Sequence, residues 1–235
     1  MFRKTATLII GALLIAIALV THAYAATEFV CSIKPTAGDY STLTTWEANN
    51  QCDLTAATTK VFSHGGITGT IADGSYVKGA TSLAYGTVVH ATTTQILLVG
   101  VSGTFSSGER VDKTTTLNGT ATGTDYVTIS NAGDSAISVA KIDGAWASAD
   151  TSALTIDGWT TSAGNYIKIY AAPAAKHNGK WNTGAYILSV TAAANNTSAI
   201  SIKENNVRLV GLQVQLTNSG GWTGCRAINI DSQDA

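Results

Sequence analysis

Apolar and polar residues alternate in short runs along the last part of the chain. Between Ala199 and Asp231 the alternating apolar positions are Ile200/Ile202, Val207/Leu209, Leu212/Val214/Leu216 and Ile228/Ile230. Alternation with a period of two is typical of half-buried β-strands. Asn- and Gly-rich segments, which tolerate left-handed backbone conformations, separate the runs. The pattern predicts short strands joined by tight corners, as in a coiling solenoid.

The same alternation begins further upstream. Leu154/Ile156 and Ile167/Ile169 form two earlier runs, and the spacing of 13 residues from Leu154 to Ile167 is repeated from Ile187 to Ile200. Three such strands per turn predict rungs of roughly 20 to 30 residues, as in parallel β-helices. Because the pattern stops soon after a strand without a capping segment, we expect a fragment or a protein that continues in a partner.

A helix is predicted near the start of this β-rich chain. Ser41 or Thr42 can cap it, Leu43, Trp46 and Glu47 follow at helical spacing, and Asn49-Asn50 ends it. A solenoid needs its open end covered, and an amphipathic helix would do this. A ligand-stacking role for Trp46 is the less favoured alternative.

Residues 63–135 interrupt the pattern and contain an internal repeat. Residues 67–83 match residues 101–117 at an offset of 34, with six identities in 17 positions. Each copy predicts a strand, a Gly turn and a strand, so this block is expected to form an inserted small β-sandwich or barrel. Its exposed polar and aromatic residues are candidates for a partner-binding surface: Tyr76, Tyr85, His90, Glu109 and Arg110. Packing of the tyrosines against each other across a thin sheet is the favoured alternative.

The first 25 residues have the features of a secretory signal. Arg3 and Lys4 form a basic start, residues 8–20 are apolar, and Ala23-Tyr24-Ala25 fits a cleavage site. The apolar run is too short to favour a retained membrane span. Its removal leaves 12 basic against 15 acidic residues, which does not favour nucleic-acid binding. We expect an extracellular, periplasmic or cell-surface protein.

Three cysteines remain after such cleavage. Cys31 and Cys52 lie in one N-terminal segment, and an oxidising compartment favours a disulfide between them. Cys225 is then left over and is interpreted as a small residue in a turn. No Cys/His spacing indicates zinc, and no cofactor is expected.

The motif Gly38-Asp39-Tyr40-Ser41-Thr42-Leu43, followed by Trp46-Glu47, is similar to the N-terminal signature of a known group of proteins. The chain resembles exported and phage-associated right-handed parallel β-helix proteins of the pectin-lyase-like fold, and the likeness resumes at residues 154–159, 166–170 and 177–179. The segment 102–111 is similar to β-modules of phage structural proteins. Because the fold hosts lyases, hydrolases, tailspikes, adhesins and inactive binders, the resemblance does not define an activity.

The resemblance implies an all-β protein: a right-handed parallel β-helix with an N-terminal capping helix and an inserted small β-sandwich or barrel. The expected division is a signal peptide at 1–25, a cap and first strands at 26–62, an inserted module at 63–135, and β-helix rungs at 136–235.

Candidate chemistry is sparse. The acidic residues of the β-helix part are scattered and form no Asp-x-Asp or calcium-loop spacing: Asp143, Asp150, Asp157, Glu204, Asp231 and Asp234. No catalytic residue or metal ligand is therefore assigned. His177 lies close to Trp181 in a polar loop. Four tryptophans, Trp146, Trp159, Trp181 and Trp222, could line one outer face and stack on sugar rings, or several of them could cover loop backbones.

Two functions are compatible with these patterns. The favoured one is a non-catalytic exported surface or adhesion protein that binds a polysaccharide, a cell-surface glycan or a protein, with His177, Trp181, Trp159 and Trp222 as binding residues. The alternative is the N-terminal part of a polysaccharide lyase or glycoside hydrolase whose acidic site lies in later rungs. Neither pattern predicts an oligomeric state.

Overall fold

The structure is a computed structural model that describes residues 26–231. The predicted signal peptide at 1–25 and Asp234 lie outside the described residues. The described chain contains one helix, α1 (Leu43–Asn50), and these strands: β1 (Thr27–Ile33), β2 (Lys60–Thr68), β3 (Tyr76–Gly79), β4 (Tyr85–Ala91), β5 (Gln95–Ser102), β6 (Arg110–Thr114), β7 (Ala121–Ile129), β8 (Ala136–Ile142), β9 (Leu154–Ile156), β10 (Ile167–Ala171), β11 (Ile187–Thr191), β12 (Ser198–Ile202), β13 (Val207–Val210), β14 (Gln213–Thr217) and β15 (Arg226–Ile230).

Residues 60–129 form a closed antiparallel barrel with the strand order β2-β5-β4-β3-β6-β7. The barrel has its own apolar core, in which Phe62 and Phe105 meet edge to face with ring centroids 5.1 Å apart. Closure gives every barrel strand two neighbours, so the barrel has no free sheet edge.

The internal repeat explains how the barrel closes. The first copy, 67–83, contains the end of β2 and all of β3 and is followed by β4; the second copy, 101–117, contains the end of β5 and all of β6 and is followed by β7. The equivalent strands are β2 and β5, β3 and β6, and β4 and β7. If each strand is exchanged for its equivalent, the β3–β4 pair becomes β6–β7 and the β4–β5 pair becomes β7–β2. The β2–β5 and β3–β6 pairs are unchanged by the exchange. Matching turns support this, because Gly74 and Gly108 both have positive φ, 76° and 83°. The barrel therefore has a pseudo-twofold pairing scheme.

The remaining strands form three parallel sheets. One has four strands in the order β1-β8-β10-β13, one has two (β11-β14), and one has three (β15-β12-β9). Their inward side chains share one apolar core, in which Ile156, Ile167, Leu188 and Ile200 are fully buried. The alternation of apolar residues predicted from the sequence is thus the alternation of buried and outward positions.

The prediction of a right-handed parallel β-helix is wrong. The largest sheet is the six-stranded antiparallel barrel, and the parallel strands form three separate sheets of at most four strands. The physical reason is that period-two alternation identifies a half-buried strand but does not specify its partner or how far its sheet extends. The all-β class is confirmed, and the expected rungs with their capping helix are not.

Helix α1 begins and ends close to the predicted positions. Thr42 is its N-cap and forms a capping box with Thr45, and Leu43, Trp46, Glu47 and Asn50 are buried. The helix lies beside β9, where the Thr44 hydroxyl donates to the Ala153 carbonyl at 3.1 Å. No helix within residues 26–231 has the length and apolar character needed to cross a membrane.

The predicted Cys31–Cys52 disulfide is absent from the structure, which has all three cysteines as free thiols. Cys31 is buried in β1 and its Sγ lies 3.7 Å from Asn50 Oδ1 at the end of α1. Burial raises the pKa of both Cys31 and Cys52, the latter to about 12, so both are protonated at neutral pH. Proximity in sequence placed these residues in one segment without making them partners.

Candidate functional site

A polar groove lies between two neighbouring corners of the parallel region. One wall is formed by residues 157–161, which follow β9, and the other by residues 203–206, which follow β12; the groove has a volume of about 520 Å³. The two corners meet because β9 and β12 pair in parallel with Ile156 opposite Ile202. Gly158, with φ of 80°, makes the first corner sharp in a conformation that favours glycine.

A salt bridge spans the mouth of the groove. Lys203 Nζ lies 2.8 Å from Asp157 Oδ2, and the side chains are 44% and 51% exposed. The hydrogen bond from Lys203 lowers the pKa of Asp157, so this carboxylate is ionised at neutral pH. Its other oxygen accepts from the Gly158 amide at 3.0 Å. The pair supplies one negative and one positive group at an accessible position.

Further bonds fix the two walls to each other. Glu204 Oε1 accepts from the Trp159 amide at 2.9 Å, and the Thr161 hydroxyl donates to the Asn205 carbonyl at 2.6 Å. The side-chain Nδ2 of Asn206 lies 3.4 Å from the Thr161 hydroxyl oxygen. The Asn205 side chain is exposed and makes no hydrogen bond within the described residues. These bonds fix the backbone of the groove, and the side-chain amide of Asn205 is available to a ligand.

The base of the groove depends on helix α1. Trp159 is only 5% exposed and stacks on Trp46, with ring centroids 5.7 Å apart. The buried Glu47 carboxylate accepts from Trp159 Nε1 at 3.3 Å, the Asp157 amide at 3.1 Å and Gln51 Nε2 at 2.8 Å. In the sequence, the Trp46-Glu47 pair is part of the predicted helix and of the N-terminal motif. Its function in the fold is to hold the 157–159 corner.

The predicted sugar-stacking tryptophans do not come together. Trp159 lies under α1 and Trp146 packs edge to face on Tyr186, whereas Trp181 and Trp222 are 54% and 39% exposed. Trp181 adjoins Asn182, which bonds Gln213 at the start of β14, while Trp222 follows the end of β14. Opposite ends of one strand hold the two exposed rings, so they cannot share a flat platform.

His177 lies in a half-buried position of the loop between β10 and β11. Its Nδ1 accepts from the Gly179 amide at 3.0 Å, which closes a local turn. The loop borders a shallow, open depression with Pro173 and Lys176, and Trp181 does not line it. The structure thus keeps His177 in the same loop as Trp181 without building a site from the two.

The other acidic candidates within residues 26–231 do not line the groove. Asp143 pairs with Lys141 at 2.9 Å, and Asp150 is buried where it accepts from the Tyr186 hydroxyl at 3.2 Å and the Ser152 amide at 3.0 Å. The Asp231 amide donates to the Ile202 carbonyl at 2.8 Å, just before Lys203. Among the candidates within residues 26–231, only Asp157 and Glu204 line the groove. Within residues 26–231 no three His, Cys, Asp or Glu side chains are arranged to hold a metal ion.

Several features expected on the barrel surface are instead internal contacts. Glu109 is 7% exposed and accepts hydrogen bonds from Thr81, Ser82 and Ser106. His90 Nδ1 lies 2.8 Å from Asp73 Oδ1, and the Arg110 guanidinium donates to the Asp112 carboxylate and the Gly123 carbonyl. These contacts use the polar atoms that a partner would need.

No protein-family model, curated protein or solved structure matches this chain. The resemblance to exported and phage-associated proteins therefore stays a hypothesis.

Proposed function

We propose that this protein binds a polyhydroxylated glycan in the groove between residues 157–161 and 203–206, and that it does not cleave the glycan. The observation that carries the proposal is the set of polar groups around one fixed groove: the Asp157–Lys203 pair and the side chains of Asn205 and Asn206. Sugar hydroxyls both donate and accept hydrogen bonds, so they match a surface with carboxylate, ammonium and amide groups.

Pre-organisation supports binding by such a polar surface. The Glu204–Trp159 and Thr161–Asn205 bonds hold the backbone of both walls before any ligand arrives. Ordering a loop on association costs free energy, and a groove that is already ordered avoids that cost. Trp159 is too buried to act as a stacking platform, so recognition is expected to depend on hydrogen bonds.

Electrostatics favour binding over hydrolysis. A glycosidase requires one carboxyl group whose pKa is raised, so that it can protonate the leaving oxygen. The pKa of Asp157 is shifted the opposite way by Lys203, and Glu204 is engaged with the Trp159 backbone. The signal peptide predicted at 1–25 would export the protein and bring the groove to extracellular or cell-surface glycans.

The test is a binding screen with matched groove variants. Protein comprising residues 26–235 is screened against purified soluble polysaccharides, and the strongest binders are measured by titration calorimetry together with a reducing-end assay. Asn205→Ala and the double variant Asp157→Ala/Lys203→Ala are expected to weaken binding about tenfold, because each removes hydrogen bonds to the ligand.

Trp222→Ala is the control, because this exposed residue lies at another corner and should leave affinity unchanged. Wild-type affinity in both groove variants, with binding lost in Trp181→Ala, would move the site to the 177–181 loop. Release of reducing ends would contradict the non-catalytic part of the proposal.

A further inference from the structure

The outward face of the four-stranded sheet carries aromatic rings and cations on adjacent strands. Ile167 and Ile169 of β10 are fully buried, so Tyr166, Lys168 and Tyr170 point outward by the alternation of a strand. Lys168 is opposite Arg208 in the β10–β13 register. Two cations therefore lie side by side next to two tyrosines.

Arg208 differs from the other cations of this face. The Lys168 ammonium lies 2.8 Å from Glu28, and the Lys141 ammonium lies 2.9 Å from Asp143. Arg208 is exposed, and within residues 26–231 it forms no ion pair or side-chain hydrogen bond. Its guanidinium instead lies 3.4 Å from the centroid of the Tyr166 ring.

Stacking on a tyrosine has a defined effect on an arginine. The ring holds the guanidinium plane in place, while the N–H groups at its edge stay available for hydrogen bonds. A guanidinium in this state matches the two oxygens of a carboxylate or a sulfate, with two parallel hydrogen bonds. We call the Arg208–Tyr166 pair the arginine shelf.

The arginine shelf is continuous with the groove. Asn206, in the groove wall, is two residues before Arg208, and its carbonyl accepts from the Ile167 amide at 3.1 Å. Thr161, in the other wall, leads through a short loop to Tyr166. The two corners that form the groove thus lead directly into β10 and β13 of the four-stranded sheet, and a polymer lying in the groove would reach the shelf by following them.

We propose that the glycan bound in the groove is anionic, and that the arginine shelf binds a carboxylate or sulfate group carried on it. The inference rests on the proposed function, because the groove must bind the polyhydroxylated part of the same chain. Net charge does not explain binding of an anionic glycan, because residues 26–235 contain 12 basic and 15 acidic residues. The selectivity comes from one unpaired, stacked arginine.

The test uses three polymers with one backbone: dextran, carboxymethyl-dextran and dextran sulfate of equal chain length. Each is titrated against wild type, Arg208→Gln and Arg208→Lys at fixed ionic strength. Wild type should bind at least one charged polymer about tenfold more tightly than dextran, and Arg208→Gln should remove that gain. Arg208→Lys keeps the charge but loses the planar fork, so it should restore only part of it.

Arg226→Gln is the matched control, because it removes the same charge from an exposed position on β15, in another sheet. It should keep the full preference for the charged polymer. The tighter of the two charged polymers identifies the oxyanion as carboxylate or sulfate.

The possible failures separate the two proposals. Equal binding of neutral and charged dextran, or an Arg208→Gln variant that keeps the preference, would overturn the shelf and leave the groove standing. Charged polymers bound through Arg208, with no effect of Asn205→Ala, would overturn the groove as the glycan site and with it the continuous path. Absence of binding to all three polymers would overturn both for this backbone class.

Discussion

The barrel and the parallel sheets deal with their strand edges in different ways. Closure pairs every barrel strand on both sides. In the parallel region, three edges are covered by other segments: β1 by the Gln95 side chain, β9 by α1, and β11 by a bridge to Asp150. The opposite edges, β13, β14 and β15, have no strand beside them within residues 26–231.

This difference has a consequence for stability. Barrel pairing is a property of one continuous segment, whereas the parallel sheets depend on side chains that come from elsewhere in the chain. Gln95 shows this directly, because its Oε1 accepts from the Val30 amide at 3.0 Å and its Nε2 donates to the Glu28 carbonyl at 2.8 Å. One barrel side chain thus completes the hydrogen bonds of a strand edge in the other region.

The largest effect is expected for Trp46→Ala. Trp46 is fully buried against Trp159, and truncation of a buried aromatic residue costs about 3 to 5 kcal/mol of unfolding free energy. Urea unfolding followed by tryptophan fluorescence measures this loss. All five tryptophans lie outside residues 60–129, so the signal reports on the parallel region only.

Phe105→Ala is the matched barrel variant, because Phe105 is buried against Phe62. It should shift the tryptophan transition less than Trp46→Ala does, while far-UV circular dichroism shows the loss of the barrel. Equal shifts of the tryptophan transition would mean that both regions unfold as one unit, and the contrast between them would fail.

A smaller effect is expected for Glu109→Gln in the barrel. Burial raises the pKa of Glu109, but hydrogen bonds from Ser82, Ser106 and Thr81 outweigh it and hold the pKa at about 2. The depression below the ordinary value of 4.5 corresponds to about 3 kcal/mol of stability. This stability is present above pH 4.5 and is lost as pH falls through about 2.

Acid titration of barrel stability checks this sign. Wild type should weaken between pH 4.5 and 2, whereas Glu109→Gln should start weaker and change less over the same interval. Asp73→Asn is a control from an exposed barrel carboxylate. Equal acid sensitivity in wild type and Glu109→Gln would show that Glu109 does not stabilise the barrel by its charge.

A further variant tests the hydrogen bonds that the Gln95 side chain of the barrel makes to β1. Gln95→Ala leaves the Val30 amide and the Glu28 carbonyl without their partner, at a cost of about 1 to 3 kcal/mol. Amide hydrogen exchange of Val30 should become faster in this variant, while exchange in β3 and β6 stays as in wild type. Unchanged exchange at Val30 would show that the β1 edge needs no cover.

The smallest effect on stability is expected at the groove. The Asp157–Lys203 pair is about half exposed, and such pairs contribute roughly 0 to 1 kcal/mol. Lys203→Met should therefore leave the urea midpoint nearly unchanged while it weakens glycan binding. A large loss of stability in this variant would make the pair a structural element, and binding losses there would no longer identify the ligand site.

Local sequence signals predicted individual elements well. Thr42 caps α1 close to where the pattern placed it, and the residues 67–83 and 101–117 repeat corresponds to two equivalent halves of one barrel. The alternation at Ile200/Ile202 predicted strand β12 with its buried face. The helix cap and the strand alternation are each carried by residues within one turn or one strand, and the repeat is visible because its two copies can be compared directly in the sequence.

The candidate site was predicted less well. Asp157, Trp159 and Glu204 were named singly, but the groove arises because β9 and β12 pair, and these strands are about 45 residues apart. The set His177, Trp181, Trp159 and Trp222 failed as one platform because the exposure of an aromatic ring depends on what folds over it. For Trp159 that is Trp46 of helix α1.

The sequence by itself determined the strands, the helix and the duplicated module of this protein, since backbone propensity and alternation act over a few residues. Only the tertiary structure decided which strands pair, that six of them close into a barrel, and that the parallel sheets are short. It also decided that Arg208 lies on Tyr166 without an acidic partner in the described chain. Local sequence patterns do not specify contacts between distant segments, and both proposed binding surfaces are built from such contacts.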